Sequence, residues 1–323
     1  MTPKPFLSTI ISFYNEERNI PSLIDRLRKV FRSEISAGSI SGYELIFVND
    51  NSTDRSLSLL VEESRRGKDV VIINMSRNFG VSECVLAGME HAKGDAVVYL
   101  DADLQDPPEL IPKLIERWTA EEGVEVVYTT RIRREGEHPL KLLVTKWAYR
   151  FLASISAIDL PVDSGDFKLL SRRAVNELLR LKEKKPYLRG LTSWIGFKQA
   201  QVLYNREPRQ DGRENTKYPV IGRRVIYNFL DSALISFSDA PLKASLFLGL
   251  IVSMASLAYI LVVLVQKIMG WYAPGWPAIM ASILFLGGVQ LLMLGIIGLY
   301  ISKIFIETTG RPNYIIKEII RPE

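Results

Sequence analysis

From residue 6 to 130 the chain alternates between short apolar runs and longer segments whose apolar positions recur every three or four residues. The short runs predict strands at 6–13, 43–48, 70–75, 96–100 and 124–130. The longer segments predict helices near 20–31, 53–65, 81–92 and 108–119. Strands and helices alternating at this spacing build right-handed βαβ units, hence an α/β domain around a mostly parallel, covered sheet. Local chemistry supports the boundaries: Asn19 can cap a helix with Pro21 in its first turn, Ser52 or Thr53 can cap the next, and Gly94 stands where a helix should stop.

A different pattern takes over towards the C-terminus. Residues 244–265 and 273–302 carry no charged side chain. At a rise of 1.5 Å per residue the first would be about 33 Å long, enough to cross a hydrocarbon core of about 30 Å, so two transmembrane helices are predicted. The link between them holds Trp271, Tyr272 and Trp276, which suit a membrane interface. Arg223, Arg224 and Lys243 before the first helix, with Lys303, Arg311 and Lys317 after the second, place both termini and the first domain in the cytoplasm by the positive-inside tendency. Gly287, Gly288, Gly295 and Gly298 leave a small-residue face for close packing, against a neighbouring chain or against the first helix. The chain thus divides into a domain at 1–240, a hairpin at 241–303 and a tail at 304–323. Within the first domain, 131–240 is less regular and more basic. Lys141, Lys146 and Arg150 interleave with Leu142, Leu143, Trp147, Phe151 and Leu152, an amphipathic helix suited either to a membrane surface or to ordinary packing on the domain.

Composition narrows the partners. The net charge of +5 is modest and arises near the membrane-proximal half, with no basic run interleaved with aromatics, which favours anionic lipid or phosphate over nucleic acid. One cysteine, Cys84, and two histidines leave neither a zinc cluster nor a disulfide framework, and a reducing, cytosol-facing compartment fits. The N-terminal apolar run is short and lacks a small-residue cleavage site, so no signal peptide is expected.

Ligands of open α/β sheets bind at the carboxyl ends of the strands, and there this sequence places its polar residues: Ser12-Phe13-Tyr14-Asn15-Glu16-Glu17, Asn49-Asp50-Asn51-Ser52, Ser76-Arg77-Asn78-Phe79-Gly80, and Asp101-Ala102-Asp103-Leu104-Gln105. Two carboxylates one residue apart at a strand end suit Mg²⁺ or Mn²⁺, which take oxygen ligands and often bind through one or two carboxylates plus substrate phosphates. The plainer alternative is that these carboxylates cap the helix starting near Pro108. Neither Gly-x-Gly-x-x-Gly nor a P-loop is present, which argues against a dinucleotide oxidoreductase or a P-loop NTPase.

Together Tyr14-Asn15-Glu16, Asn49-Asp50 followed by Ser-Thr-Asp, Arg77-Asn78-Phe79-Gly80 and Asp101 through Glu109 resemble glycosyltransferase family 2, and within it the polyprenyl-phosphate hexose synthases. Gly165-Asp166-Phe167-Lys168-Leu169, the Thr216-Lys217-Tyr218 loop and Arg311-Pro312-Asn313-Tyr314 extend the likeness over nearly the whole chain. The resemblance implies a GT-A, Rossmann-like domain. It implies that Tyr14 and Glu16 contact the base and ribose of a sugar nucleotide, that Asp50 binds the base, and that Asp101, Asp103 and Gln105 hold the metal. Ser12 stands where the family usually has Pro, and Asn51 where it usually has Gly; Asn tolerates a left-handed backbone. By the same resemblance Arg131 reaches a phosphate and Asp166 lies near the reacting sugar. Asp166 is either a general base or an orienting group. A phosphate monoester has a second pKa of about 6, so an acceptor of that kind is largely anionic before any base acts. The family's lid, Arg-x-x-Gly-x-Ser-Lys-Tyr, is met here by Arg209, Gly212, Arg213 and Thr216-Lys217-Tyr218, with two extra residues, so either Arg209 or Arg213 does the phosphate work beside Lys217.

The implied activity is inverting transfer of one hexose, glucose from UDP-glucose first, to undecaprenyl phosphate on the cytoplasmic membrane face, by a homo-oligomer for which a tetramer is one form. GDP-mannose or a modified sugar such as an aminoarabinose derivative is the alternative donor. A processive polysaccharide synthase would carry Gln-x-x-Arg-Trp and more spans, whereas Arg117-Trp118 lacks the Gln. A non-catalytic membrane scaffold would have no need to keep the metal ligands.

Overall fold

β1 (Phe6–Phe13) is buried along almost its whole length, Ser8, Thr9 and Ser12 included, as a strand in the middle of a covered sheet must be. It belongs to a computed structural model that describes residues 4–131, 164–184, 186–205, 240–271 and 275–322. The elements after it are α1 (Ile20–Ala37), β2 (Gly42–Asn49), α2 (Ser56–Arg66), β3 (Val70–Met75), α3 (Val81–His91) and β4 (Ala96–Asp101). A 3₁₀ turn (Pro108–Leu110) then leads into α4 (Ile111–Ala120), β5 (Val124–Arg131), β6 (Ser164–Ser171), α5 (Arg172–Arg180), α6 (Leu188–Trp194) and β7 (Lys198–Tyr204). Last come α7 (Ala240–Ile268), α8 (Trp276–Thr308) and β8 (Ile316–Ile320).

The eight strands form one sheet in the order β7-β5-β6-β4-β1-β2-β3-β8. β4, β1, β2 and β3 run parallel, and β7 runs parallel to β5. β6 is antiparallel to both its neighbours, and β8 is antiparallel to β3. The mostly parallel sheet predicted from the alternation is therefore present. α1 covers it with Ile20, Leu23, Ile24, Leu27, Val30 and Phe31, an apolar stripe at helical spacing, in one core cluster with β1, β2 and β4. α1 outruns its predicted end because its stop is Gly38, in the left-handed conformation at φ 77°, with its N–H on Ile35 O at 3.0 Å.

Several local expectations are corrected. Asn19 does not cap α1 through its side chain; its Nδ2 donates to Glu16 Oε2 at 2.6 Å instead. α2 starts after Arg55, later than Ser52 and Thr53, and Asp54 Oδ1 accepts from Ser56 N at 3.0 Å. Gly94 does not end α3, which finishes at His91. A Cβ on Gly94 would lie 2.5 Å from Ser8 N and 2.7 Å from Ala96 O, so this glycine exists because two backbones meet there.

The chain divides into two compact units: Met1–Tyr149 with Ile158–Val220 and Arg311–Glu323, and Arg150–Ala157 with Ile221–Gly310. The stretch 304–323, expected to be a tail, returns β8 to the sheet edge of the first unit. In the second unit α7 and α8 are about 43 and 50 Å long at 1.5 Å per residue. Both are long and apolar enough to be candidate membrane spans. Their large apolar side chains point outward, Leu246 at 73% and Leu291 at 71% exposure. α7 meets α8 at Gly249, where an added Cβ would sit 3.5 Å from Met293 Cε, whereas among the described residues nothing lies within 4 Å of one added at Gly287, Gly288, Gly295 or Gly298.

Candidate active site

The chain runs outward from β1 to β2 and β3, then crosses back to place β4 on the other side of β1. The carboxyl ends of β1 and β4 therefore flank a topological switch point, the usual ligand crevice of such sheets. Ser12 and Asp101 are register partners across it, and Ser12 Oγ donates to Asp101 Oδ1 at 3.1 Å. Beyond Asp101 the chain turns sharply: Asp103 Oδ1 accepts from Gln105 N at 3.1 Å, and Leu104 is left-handed at φ 58° although its side chain is buried. A non-glycine residue in that conformation costs roughly 1–2 kcal/mol, and such strain gathers at functional turns where packing enforces it. Asp106, just behind, is buried and accepts from Tyr204 Oη of β7.

This turn is electrostatically crowded. Burial, then the carboxylates of Asp166, Asp103 and Asp106, push the Asp101 carboxyl up to about 7, with the Ser12 hydroxyl opposing. A divalent cation would offset that crowding, and the donor set of two carboxylates one residue apart fits Mg²⁺ or Mn²⁺ better than softer metals. Among the described residues no group of three or more His, Cys, Asp or Glu could cage a metal. For Gln105 the structure shows a buried residue whose backbone N–H holds the turn.

The tips of β1 and β2 are laced together. Asn15, left-handed at φ 57°, gives its N–H to Ser52 Oγ at 3.0 Å, while its Oδ1 accepts from Thr53 N at 2.8 Å. Glu16 N donates to Ser56 Oγ at 2.9 Å. Glu17 N donates to Asp54 Oδ2 at 3.2 Å, and Glu17 Oε2 accepts from Arg55 N at 3.1 Å. Asn51 takes the left-handed backbone expected of it, at φ 61°. Tyr14 is left with 46% of its surface exposed on this rim. Asp50 is buried, and its two carboxylate oxygens accept from Phe79 N at 2.7 Å and Gly80 N at 3.0 Å. Its visible work is to hold the third tip, where the Arg77 guanidinium stacks 4.0 Å over the Phe79 ring.

Asp166, expected in a loop, lies on β6. Its carboxylate takes two hydrogen bonds from Arg189 of α6, one from Nε to Oδ1 at 2.6 Å and one from Nη2 to Oδ2. Arg189 was not anticipated. Two residues further along β6 the Lys168 side chain is buried and donates to Thr192 Oγ1 at 2.9 Å. Burial, with the Arg189 charge adding and Asp166 opposing, pushes the Lys168 ammonium down to about 8. Tyr99 is Lys168's register partner on β4. Its buried hydroxyl has no hydrogen-bond partner among the described residues, and burial followed by the Asp166 charge raises its pKa.

The backbone of Arg131 ends β5 opposite Tyr204, but its side chain lies outside the described residues. So do Asp163, the amphipathic segment at 141–152, Arg223, Arg224, and the loop holding Arg209, Arg213 and Lys217.

The sequence profile described as Glycosyl transferase family 2 matches residues 8–179, which hold most of β1, the elements from α1 to β6, most of α5 and all four polar tips. The chain belongs to glycosyltransferase family 2. This family 2 glycosyltransferase is 42% identical over 312 residues to the "uncharacterized glycosyltransferase YkcC" of Bacillus subtilis (strain 168), covering 96% of this chain and 93% of the relative. It is 35% identical over 316 residues to the "prophage bactoprenol glucosyl transferase homolog" of Escherichia coli (strain K12), covering 97% and 99%. The solved glucosyl-3-phosphoglycerate synthase of Mycobacterium tuberculosis in complex with UDP overlays with a TM-score of 0.46 at 22% identity, covering 70% of this chain and 79% of that one. At that distance nothing about ligands follows. In this family 2 glycosyltransferase a GT-A-like, mostly parallel sheet draws β1 to β7 from before two candidate membrane spans and β8 from after them.

Proposed function

We propose that this glycosyltransferase moves a single glucose from UDP-glucose to undecaprenyl phosphate at the cytoplasmic face of the cell membrane, with inversion at the anomeric carbon. The observation that carries the reading is the crowded carboxylate turn at Asp101 and Asp103 beside Ser12, at the switch point of a chain that also holds two candidate spans. Near-full-length relatives named bactoprenol glucosyl transferases, at 34–35% identity, support the acceptor and the sugar. Insertion of α7 and α8 in the membrane, with the catalytic unit and both termini on the cytoplasmic side, would bring the donor to the depth at which a lipid phosphate emerges. The small-residue face of α8, Gly287, Gly288, Gly295 and Gly298, suits a homo-oligomer, for which a tetramer is one form.

In this reading Tyr14 offers its exposed ring to the base, Glu16 reaches the ribose, and Ser12 and Asp50 shape the pocket around them. Asp101 and Asp103, with Gln105 behind them, would hold Mg²⁺ or Mn²⁺, which when bound clamps the diphosphate and offsets the charge growing on the leaving nucleotide. The lipid phosphate oxygen forms its bond to the anomeric carbon from the face opposite the diphosphate, whose bond to that carbon breaks, and UDP departs with the electron pair. Arg131 and Lys217, with Arg209 or Arg213, lower the repulsion between the two anions. Asp166, with both oxygens engaged by Arg189, acts as a fixed acceptor that orients a sugar or acceptor hydroxyl; an already anionic phosphate needs no base. The test is transfer of label from UDP-glucose, UDP-galactose, UDP-N-acetylglucosamine and GDP-mannose to undecaprenyl phosphate in detergent with Mg²⁺ or Mn²⁺. Lipid label from UDP-glucose, lost in Asp103→Ala protein that remains folded, is expected. Label from GDP-mannose alone would replace the donor, and none from any sugar would overturn the reading.

A further inference from the structure

β8 is reached only after the chain has passed through α7 and α8, and it lies outside the span matched by the family profile. Even so, it is tied to the nucleotide rim by a row of side chains that crosses three strands in register. Asn49 of β2 pairs with Asn74 of β3, and Asn74 pairs with Glu318 of β8. Glu318 Oε1 accepts from Asn74 Nδ2 at 2.8 Å, Asn74 Oδ1 accepts from Asn49 Nδ2 at 2.9 Å, and Asn49 Oδ1 accepts from Ser52 N at 2.9 Å. Ser52 then receives the N–H of Asn15 through its hydroxyl. Both amides are buried, so each must keep its partners or incur the desolvation cost of an unmet group.

The direction of this row carries the argument. An ionised carboxylate only accepts and a backbone N–H only donates. With an acceptor at one end and a donor at the other, the two amides between them have a single orientation that satisfies every bond. We propose that Glu318 is a positioning residue of the donor site: by fixing Asn74 and through it Asn49, it holds the turn at 50–54 against Asn15 in the shape that receives the nucleotide. The segment before it is anchored as well. Asn313 Nδ2 donates to Glu183 O at 2.7 Å, Tyr314 Oη donates to Glu90, and Ser76 N donates to Ile315 O at 2.9 Å. The donor half of the site is thus completed by residues that follow the candidate spans, and removing the chain after 240 would leave it unfinished. This rests on the proposed use of the rim at 12–17 and 49–54 for a sugar nucleotide.

The experiment measures UDP binding with Mn²⁺ by calorimetry, and hydrogen exchange at residues 50–54, on the full chain in detergent. Glu318→Lys puts donors where an acceptor stood and opposes both amides. UDP affinity is expected to fall about tenfold, the size of one lost charged hydrogen bond, with faster exchange at 50–54. Glu318→Gln, which can still accept, is expected to stay within about twofold by the same reasoning. Asn74→Asp added to Glu318→Lys restores an acceptor towards Asn49 and a donor towards Asp, so the double variant should recover most of the lost affinity. If Glu318→Lys does not fold, Glu318→Leu removes the acceptor without adding a donor, and about threefold weakening is expected. Unchanged affinity and exchange in the folded variant, or no recovery in the double variant, overturns the inference alone. A parent chain that does not bind UDP overturns the donor site and this inference with it.

Discussion

Asp101 would make the proposed cation site a proton-linked one. Its carboxyl is raised from an ordinary 3.8 to about 7 by burial and by Asp166, Asp103 and Asp106. The folded, metal-free chain therefore binds this proton more tightly than the unfolded chain does. The stability this confers is fully present below about pH 4 and is lost as pH rises through about 7. Three pH units at 1.36 kcal/mol each set a ceiling of about 4 kcal/mol. A cation that needs the carboxylate must displace the proton. At pH 6 only about a tenth of the sites are ionised and at pH 5 about a hundredth, so Mn²⁺ affinity should fall about tenfold per unit below pH 7 and level off above it. Mn²⁺ titrated alone between pH 5.5 and 8.5, with no nucleotide whose phosphates would titrate in the same range, reads this directly. Asp101→Asn should bind more weakly with no slope, and without metal its gain in melting temperature over the parent should be larger at pH 8 than at pH 5 and vanish below about pH 4. A parent affinity that does not change with pH, or a slope that survives in Asp101→Asn, would refute the electrostatic argument.

Two further outcomes follow from contacts away from the carboxylate turn. Arg189→Met frees Asp166 from its two-pronged partner. A misplaced group of this kind costs about a hundredfold in kcat, and the UDP-glucose KM should move little; Arg189→Lys should recover only part of the loss because an ammonium cannot match the fork. An equal loss of stability and of donor affinity would assign Arg189 to packing instead. At Gly88 a Cβ would lie 2.5 Å from Ile10 Cγ2, a side-chain methyl, whereas at Gly94 it would meet backbone. Gly88→Ala should cost about 1–3 kcal/mol in chemical denaturation and be relieved in part by Ile10→Ala, which removes that methyl, and Gly94→Ala should exceed it with no side-chain change able to relieve it. Additive behaviour of Gly88→Ala with Ile10→Ala would sink the overpacking account.

What could be read in the sequence was what a parallel sheet concentrates at one edge. The four inner strands are buried on both faces, so each appeared as an apolar run, and the first polar residues after it had to lie at the carboxyl end. Ser12, Asn49 and Asp101 were found in this way, and Asn51 was recognised as a residue able to take a left-handed turn. Leu104 was not, since nothing in a leucine announces φ 58°; only the burial of its side chain holds it there. β7 did carry a signal. Its inward residues Ala200, Val202 and Tyr204 alternate with outward ones, the period of a half-buried strand, in a region whose basic character drew attention elsewhere.

β6 hides for a physical reason, because its buried face includes Lys168, a charge that ordinarily marks a surface. Its hydrogen-bond partner, the Thr192 hydroxyl, comes from α6, more than twenty residues away, and no spacing in the sequence encodes that meeting. The same is true of Asp166 and Arg189, and of Glu318 with Asn74 across 244 positions. In the proposed site the inner parallel strands supply the groups that face the nucleotide and β6 supplies Asp166, while Arg189 of α6 and Glu318 of β8 supply contacts that hold such groups still. The first set follows from local pattern and the second from tertiary pairing alone. Substitutions in the second set should therefore change how well the site is held, with kcat or nucleotide affinity moving separately, while the chemistry it performs stays the same.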